Sequence, residues 1–441
     1  MCPFPGVKQL HNNKLPLLAL SLTALTGSPL ALAAQADSQG FVADSHLDFL
    51  ARNLYWNHNA TGGKPDNREW GQGLRLEYRS GYTQGTVGFG VDLHGYAALK
   101  LDGGRGHAGR AGVLVPDDEG ARDEATSAGG AVKLRVSNTE LKYGQLRPYN
   151  PVFAPADVRL LPSTATGFWL TSSELEGLDA EAGHFTAAKD FNSTDSKDDF
   201  FAAYAGVATD TVDFLGGSYR VDERLSLSLY ASEYRDIWRQ SYANANYTWP
   251  LDDTQSLNLD FNLYRADDEG RALAGEIDVT AWSLAAAYRV GAHTFKLSHQ
   301  RIDGDQPFDY LGMGPGTFHD SIYLANSSQL ADFNGPREKS WGAFYSLDLA
   351  GYGVPGLSFH ARYIRGDDVD GSHMDPSSPY AYYADDEKHW ERDVDIKYVV
   401  QGGPAQHLSL RLRHATHRIS GTSDSDADQL RLIVEYPHSF F

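Results

Sequence analysis

Arg411 and Arg413 stand two residues apart in HLSLRLRHA, where Leu408, Leu410 and Leu412 take the alternate positions. Alternate residues of an extended chain share a face, so both guanidinium forks point one way and the leucines the other. Two forks on one face can hold a carboxylate bidentately, whether it belongs to a neighbouring wall or to a solute. The same alternation places Arg135, Lys142, Arg220, Arg289, Lys296, Arg362, Lys397 and Arg431 on the polar face of their runs. Asp393, Asp395 and Glu435 are the acids available to neutralise them.

Other chemistry has weaker support. His414, His417, Ser420 and Asp424 lie close in sequence, but a hydrolytic triad is defined by geometry, and there is no G-x-S-x-G elbow. His373 and His389 lack H-E-x-x-H spacing. GGRGHAG at Gly103–Gly109 does not sit between a strand and a helix, as a phosphate cradle would. No catalytic residue, metal site or cofactor is expected, and an outer-membrane β-barrel hydrolase is the alternative reading.

The stretch Leu146–Gly167, LRPYNPVFAPADVRLLPSTATG, contains Pro148, Pro151, Pro155 and Pro162, which exclude a central strand or a helix interior. It also carries Val152, Phe153, Val158, Leu160 and Leu161 together with Arg147, Asp157 and Arg159. An irregular segment that is apolar and charged at once needs partners for its charges or water beside them. A loop folded into a water-filled lumen meets both needs. Residues 147–167 are therefore the expected constriction loop.

The positioning elements read as strands. QLRLIVEYP, LSFHARYIR, SLNLDFNLY and RLSLSLYAS all alternate with period two, and helical periodicity is absent. Short connections (Gly81–Gly85, Val221–Arg224, Pro250–Gln255, Val290–His293, Tyr352–Gly356, Gln401–Gln406) take turns with long ones. The long ones are Asn57–Gly71, Ala98–Gly130, Lys189–Val212, Asp303–Lys339, Gly366–Lys388 and Ile419–Asp426. Short turns at one end and long loops at the other are the mark of an outer-membrane barrel. About nineteen strand-like runs occur, and such a barrel takes an even number. Parity puts Phe200–Val207 in an external loop, splits Ala131–Arg147 into two strands at Asn138, and leaves about eighteen spanning strands. The expected fold is all-β, a transmembrane up-and-down antiparallel barrel.

Composition agrees. Aromatic residues make up 12% of the 441, enough for two interfacial girdles, and mean hydropathy is −0.43 because lumenal polar residues dilute lipid-facing ones. The formal net charge of −20, from 58 acidic and 38 basic residues, argues against a nucleic-acid partner. At the N-terminus, Lys8 and Lys14 precede LPLLALSLTALTGSPLALA and the small residues Ala31, Ala33, Ala34 and Ala36. This is a signal peptide over residues 1–36, with cleavage after Ala33 or Ala36 and a barrel over 37–441. Cys2, the one cysteine, leaves with it.

GQLRPYNPVF, RLLPSTATG, FNGPREKSW, YGVPGLSFHARYIRGDD and LRLIVEYP resemble the OprD family of outer-membrane carboxylate channels of pseudomonads, and SIYLANSSQLADFNGP and HATHR resemble its OpdK-like branch. The resemblance spans nearly the whole mature chain. It implies a monomeric eighteen-strand barrel for passive diffusion of small carboxylic acids, an inward third loop, and an Arg/Lys ladder along one wall. Of the residues above, the ladder would draw on Arg135, Lys142, Arg147, Arg159, Arg220, Arg289, Arg362, Lys397, Arg411 and Arg413. The resemblance also implies that Asp305, Asp309 and Tyr310 reach the eyelet and make it bipolar. Expected partners are small carboxylates, outer-membrane lipid and lipopolysaccharide, and the barrel assembly machinery. The terminal HSFF supplies the final aromatic that assembly requires, on a tail less aliphatic than the family leads one to expect.

Overall fold

A computed structural model describes residues 34–61, 64–103, 107–118, 120–314 and 317–441. Residues 1–33 of the expected signal peptide lie outside the described residues. Eighteen antiparallel strands form one closed sheet. They are β1 (His46–Ala60), β2 (Asn67–Arg79), β3 (Val87–Asp102), β4 (Glu124–Val136), β5 (Thr139–Leu146) and β6 (Thr164–Ser172). Next come β7 (Leu178–Lys189), β8 (Val212–Arg220), β9 (Leu225–Tyr234), β10 (Trp238–Pro250), β11 (Gln255–Asp268) and β12 (Asp278–Val290). The last six are β13 (His293–Asp303), β14 (Lys339–Asp348), β15 (Leu357–Val369), β16 (Glu387–Val399), β17 (Ser409–Ser420) and β18 (Ala427–Ser439). Each pairs with its neighbour in sequence. The ring closes where β1 meets β18, from Asp48 opposite Ser439 to Ala60 opposite Ala427. Closure leaves no edge strand, which is what allows a sheet to stand in lipid.

The outward face carries the exposed apolar side chains, among them Leu74, Leu76, Leu227, Leu229, Leu410, Leu412 and Leu432. Exposed aromatics mark two levels on it. Trp70 and Trp341 lie near the long-loop end, and Tyr219, Trp249, Tyr288, Phe295 and Tyr398 near the short-turn end. Arg411 and Arg413 therefore face the lumen.

The connections refine the expected pattern. The split at Asn138 stands, with residues 137 and 138 joining β4 to β5. The segment Phe200–Val207 does lie in the β7–β8 connection, but it folds inward: Phe200–Ala202 pairs with Ala208–Thr209 and with Leu311–Gly312 of the long β13–β14 connection, and Phe200 is buried. The constriction loop ends at Ser163, because Thr164–Gly167 already pairs with β7. Long and short connections do not alternate strictly. On the long-loop end, β9–β10 is joined by residues 235–237 alone and β1–β2 by 61–66, since β1 and β2 run further than their sequence pattern shows.

The core sits inside the barrel. The loops joining β5–β6, β7–β8, β13–β14 and β15–β16 contribute Val152, Phe153, Phe200, Phe308, Tyr310, Leu311 and Tyr380 to one cluster with Phe185, Phe214, Tyr234 and Tyr264 of the wall. A second cluster joins Val113, Leu114 and Val115 of the β3–β4 loop to Leu160, Leu161, Leu54 and Trp56.

Candidate functional site: the lumenal constriction

Residues 147–163 cross the lumen and are tied at both sides. On one side Phe153, fully buried, stacks against Phe185 at 4.7 Å and Phe214 at 5.5 Å. There the phenol of Tyr234 donates to the Val152 carbonyl (2.8 Å) and that of Tyr264 to the Pro151 carbonyl (3.0 Å). On the other side Leu160 lies over Gly71 and Gly73. A Cβ on Gly73 would come within 2.8 Å of the Leu160 carbonyl oxygen, so the close approach needs glycine there.

Between these anchors the chain turns at Asp157-Val158-Arg159. Arg52 Nη1 and Arg75 Nη1 donate to the Asp157 carboxylate at 2.7 and 2.8 Å, and Arg147 Nη1 stands 3.7 Å from it. Arg75 Nη2 also holds the Leu160 carbonyl at 2.8 Å, and Arg52 Nε reaches Glu435 at 2.6 Å. Burial works to raise the Asp157 carboxyl, but Arg75, Arg52 and Arg147 together hold it below the usual carboxylate range. Val158, grouped with the apolar residues of the loop, is exposed at the turn. Arg52 and Arg75 were missed by sequence reasoning. LRLEY alternates around Arg75 and was the available signal. Around Arg52 the lumenal face also carries Leu54 and Trp56, covered by loops, so the alternation is blurred.

Beside this turn stands a cationic wall. Arg159 lies over one face of the Trp56 ring (4.3 Å) and donates from Nε to the Ala111 carbonyl (2.8 Å). Burial lowers its guanidinium to about 10. Arg431 also stacks on Trp56, at 3.8 Å. Arg431 is directly opposite Arg413 in the β17–β18 ladder, and Arg411 is directly opposite Lys397 in the β16–β17 ladder. Arg411 Nε grips Asp395 at 3.0 and 2.9 Å, while Arg413 Nε stands 3.4 Å from the same carboxylate. Arg362 is hydrogen-bonded to Asp393 and donates to the Ser327 carbonyl at 3.2 Å. Lys296 sits 3.7 Å from the centre of the Phe344 ring. Neutralisation by wall acids thus applies to Arg362 and Arg411 fully and to Arg413 only in part.

The remaining expected site residues lie elsewhere. Arg135, near the short-turn end of β4, stacks on Tyr82 at 4.0 Å and donates to Gln35 at 3.1 Å. Lys142 bridges Asp92 (3.1 Å) and Glu140 (3.0 Å). Arg220 and Arg289 are exposed at the short-turn ends of β8 and β12. Arg147 pairs with Glu77 at 3.1 Å.

The acidic side of the eyelet is a correction. Asp305 is half-buried and paired with Arg337 (2.8 Å), outside the constriction. Asp309 and Tyr310 are buried within the loop layer, and the Tyr310 phenol donates to Asp332 at 2.6 Å. Asp309 accepts the backbone N–H groups of Tyr204 (2.9 Å), Ala205 (2.9 Å) and Tyr310 (2.7 Å), and the Tyr380 phenol (2.9 Å). A loop residue so fully bonded is an internal brace. Asp320 and Tyr323 are the residues of the β13–β14 loop nearer the opening: Asp320 accepts the Asp157 N–H at 3.4 Å, and the Tyr323 ring lies 6.2 Å from that of half-exposed Tyr149.

A family model described as outer membrane porin, OprD family, matches residues 39–440. Porin D of Pseudomonas aeruginosa is 52% identical over 92% of this chain and 93% of its own length. The crystal structure of Pseudomonas aeruginosa OprD superposes with a TM-score of 0.83 at 50% identity, covering 93% of this chain and 99% of that one. Pseudomonas aeruginosa OpdK, solved with vanillate, gives a TM-score of 0.82 at 36% identity, covering 91% and 100%. Backbone geometry does not separate the two, and sequence identity is higher with OprD. An eighteen-strand barrel with an inward third loop and a whole-chain family match lead to one conclusion: the chain belongs to the OprD family of outer-membrane porins.

Proposed function

We propose that this outer-membrane channel takes up small carboxylic acids passively and selectively, guiding them past the constriction along the lumenal Arg/Lys ladder. The observation that carries this reading is the row Arg159–Trp56–Arg431–Arg413, which gathers three guanidinium groups on the lumenal side of the wall beside the constriction loop, with Asp395 3.4 Å from Arg413. A carboxylate entering a narrow passage loses hydration. Several weak cationic sites in a row replace it without one trapping well. Opposite charges at about 4 Å attract by about 4 kcal/mol at an effective dielectric of about 20, and by about 1 kcal/mol in bulk water. Vanillate, the compound named with OpdK, is a small aromatic carboxylate and fits the class. Arg362, Arg411 and Lys397 continue the ladder along the β15–β17 wall. Arg135, Lys142, Arg220 and Arg289 serve further toward the periplasm. The relatives are porins, and this protein works as a monomer without catalysis.

The test is to change Arg411 and Arg413 together to Gln and measure reversal potential and carboxylate flux in single channels. Reduced anion preference with normal assembly supports the reading. Unchanged anion preference would remove the ladder from it.

A further inference from the structure

Behind the constriction, three loops meet on one histidine. His319, in the β13–β14 connection, has a side chain with no solvent exposure. Its Nδ1 accepts the backbone N–H of Ala156, in the constriction loop, at 2.9 Å. Its ring stacks on Phe191, which follows β7, at 5.5 Å. The opposite nitrogen, Nε2, stands 3.4 Å from Asp190 Oδ1, and that oxygen is fixed by the Phe191 N–H (2.7 Å) and the Ser163 hydroxyl (3.2 Å). A ring nitrogen that accepts from an amide carries no hydrogen, so neutral His319 has its hydrogen on Nε2, toward Asp190.

We propose that His319 is a positioning residue that sets the constriction loop by its protonation: neutral, it holds Ala156 in place, and protonated, it releases it. Protonation puts a hydrogen on Nδ1, facing the Ala156 N–H. Two donors then meet, the bond is lost, and the backbone at Pro155–Ala156 must shift. Charged groups reach His319 from every loop packed on it. The acids are Asp190 and the adjacent Asp320, with Asp157 one residue beyond the Ala156 contact. The cations are Lys189, which donates to the Asp190 carbonyl at 3.2 Å, and Arg159, 5.2 Å from the Phe191 ring centre. Asp157 stays tied to Arg52 and Arg75, so the shift is a local one at the eyelet and the loop as a whole does not leave.

The proposal rests on the loop narrowing the lumen, which a separate variant lacking Val152–Val158 tests. That variant should show raised conductance. If it does not, the narrowing itself is wrong and the proposal falls with it. With narrowing established, full-length mature channels in planar bilayers are recorded over roughly pH 8 to 5, the interval in which an imidazole changes charge. Wild type should show a step in open-channel conductance and noise. His319→Asn, whose amide oxygen can replace Nδ1 as acceptor but takes up no proton, should lose the step and keep the neutral-pH behaviour. His319→Phe, lacking an acceptor, should show the acid behaviour at every pH. Heat-shift gels establish that each barrel is folded, and exchange of the Ala156 amide, faster at low pH in wild type relative to His319→Asn, reads the contact itself. No step in wild type, or an undiminished step in His319→Asn, overturns the proposal.

Discussion

Arg411 and Arg413 look equivalent in sequence and differ in what they hold. Arg411 chelates Asp395, which is buried, whereas Arg413 reaches it from 3.4 Å. Arg411→Gln therefore leaves a buried carboxylate with only the looser Arg413 contact and should lower stability by about 1–3 kcal/mol as well as anion preference. Arg413→Gln should lower anion preference with little cost in stability. Urea unfolding of the two variants alongside their reversal potentials checks the split, and equal stability losses would contradict it. A second prediction concerns Gln35. It is buried, its amide nitrogen donates to the Thr83 carbonyl (2.8 Å) and Gly85 carbonyl (3.1 Å), its oxygen accepts from Arg135, and its backbone N–H bonds to Ser137. Cleavage after Ala36 would discard it and leave Arg135 without that partner. Maturation is expected after Ala33, and the intact mass of the purified protein should begin at Ala34.

The elements that narrow the barrel are loops, and carboxylates hold them. Glu69, fully buried on β2, accepts five backbone N–H groups of the β3–β4 loop, from Gly109 to Leu114, at 2.8–3.0 Å. Glu391 on β16 likewise accepts those of Gln329, Leu330 and Ala331. Asp309 joins three loops at once. Burial pushes its carboxyl from 3.8 up to about 6, against four hydrogen bonds that favour the ionised form. Once its loops are released, the group returns to its ordinary value. Above about pH 6 the folded loops bear the full cost of the buried charge, and the cost declines as pH falls below about 6 and is gone below the ordinary value of 3.8. Two units correspond to about 3 kcal/mol at most. Acid should thus tighten this node, and the Tyr204 and Ala205 amides should gain exchange protection between neutrality and about pH 5. The Ala156 amide beside His319 should lose it, and a common direction at both places would contradict one of the two assignments.

At the scale of the whole barrel, stability lies in a closed hydrogen-bonded ring with a lipid-facing band. Leu410 and Leu412 are both on that band but at different depths. Leu410 is opposite Tyr398, in the lower aromatic row, and Leu412 is opposite Ile396 and Leu432, further in. A cation costs about 2–4 kcal/mol near the midplane and about 0–1 at the interface. Leu412→Arg should therefore destabilise the barrel more than Leu410→Arg, measured by urea unfolding in lipid vesicles. The reverse order would mean the membrane band is placed wrongly along the strands.

Much of this was legible in the sequence because period-two alternation has only two solutions per strand. Once Leu410 and Leu412 face out, Arg411 and Arg413 must face in, and parity then fixes which connections share an end. The prolines and charges of residues 147–167 marked an irregular segment inside a lumen for the same local reason, although its end at Ser163 came from the strand pairing. What only the tertiary structure decided was partnership. Whether a lumenal arginine is free or spent depends on residues far away in the chain: Arg52 meets Asp157 across the barrel, and Arg431 shares Trp56 with a loop arginine. Asp309 and Tyr310 read as site residues, yet the inward folding of Phe200–Ala202 and Tyr380 covers them. Alternation is a property of one strand, while burial by a loop depends on where several long connections settle together. No local pattern encodes that.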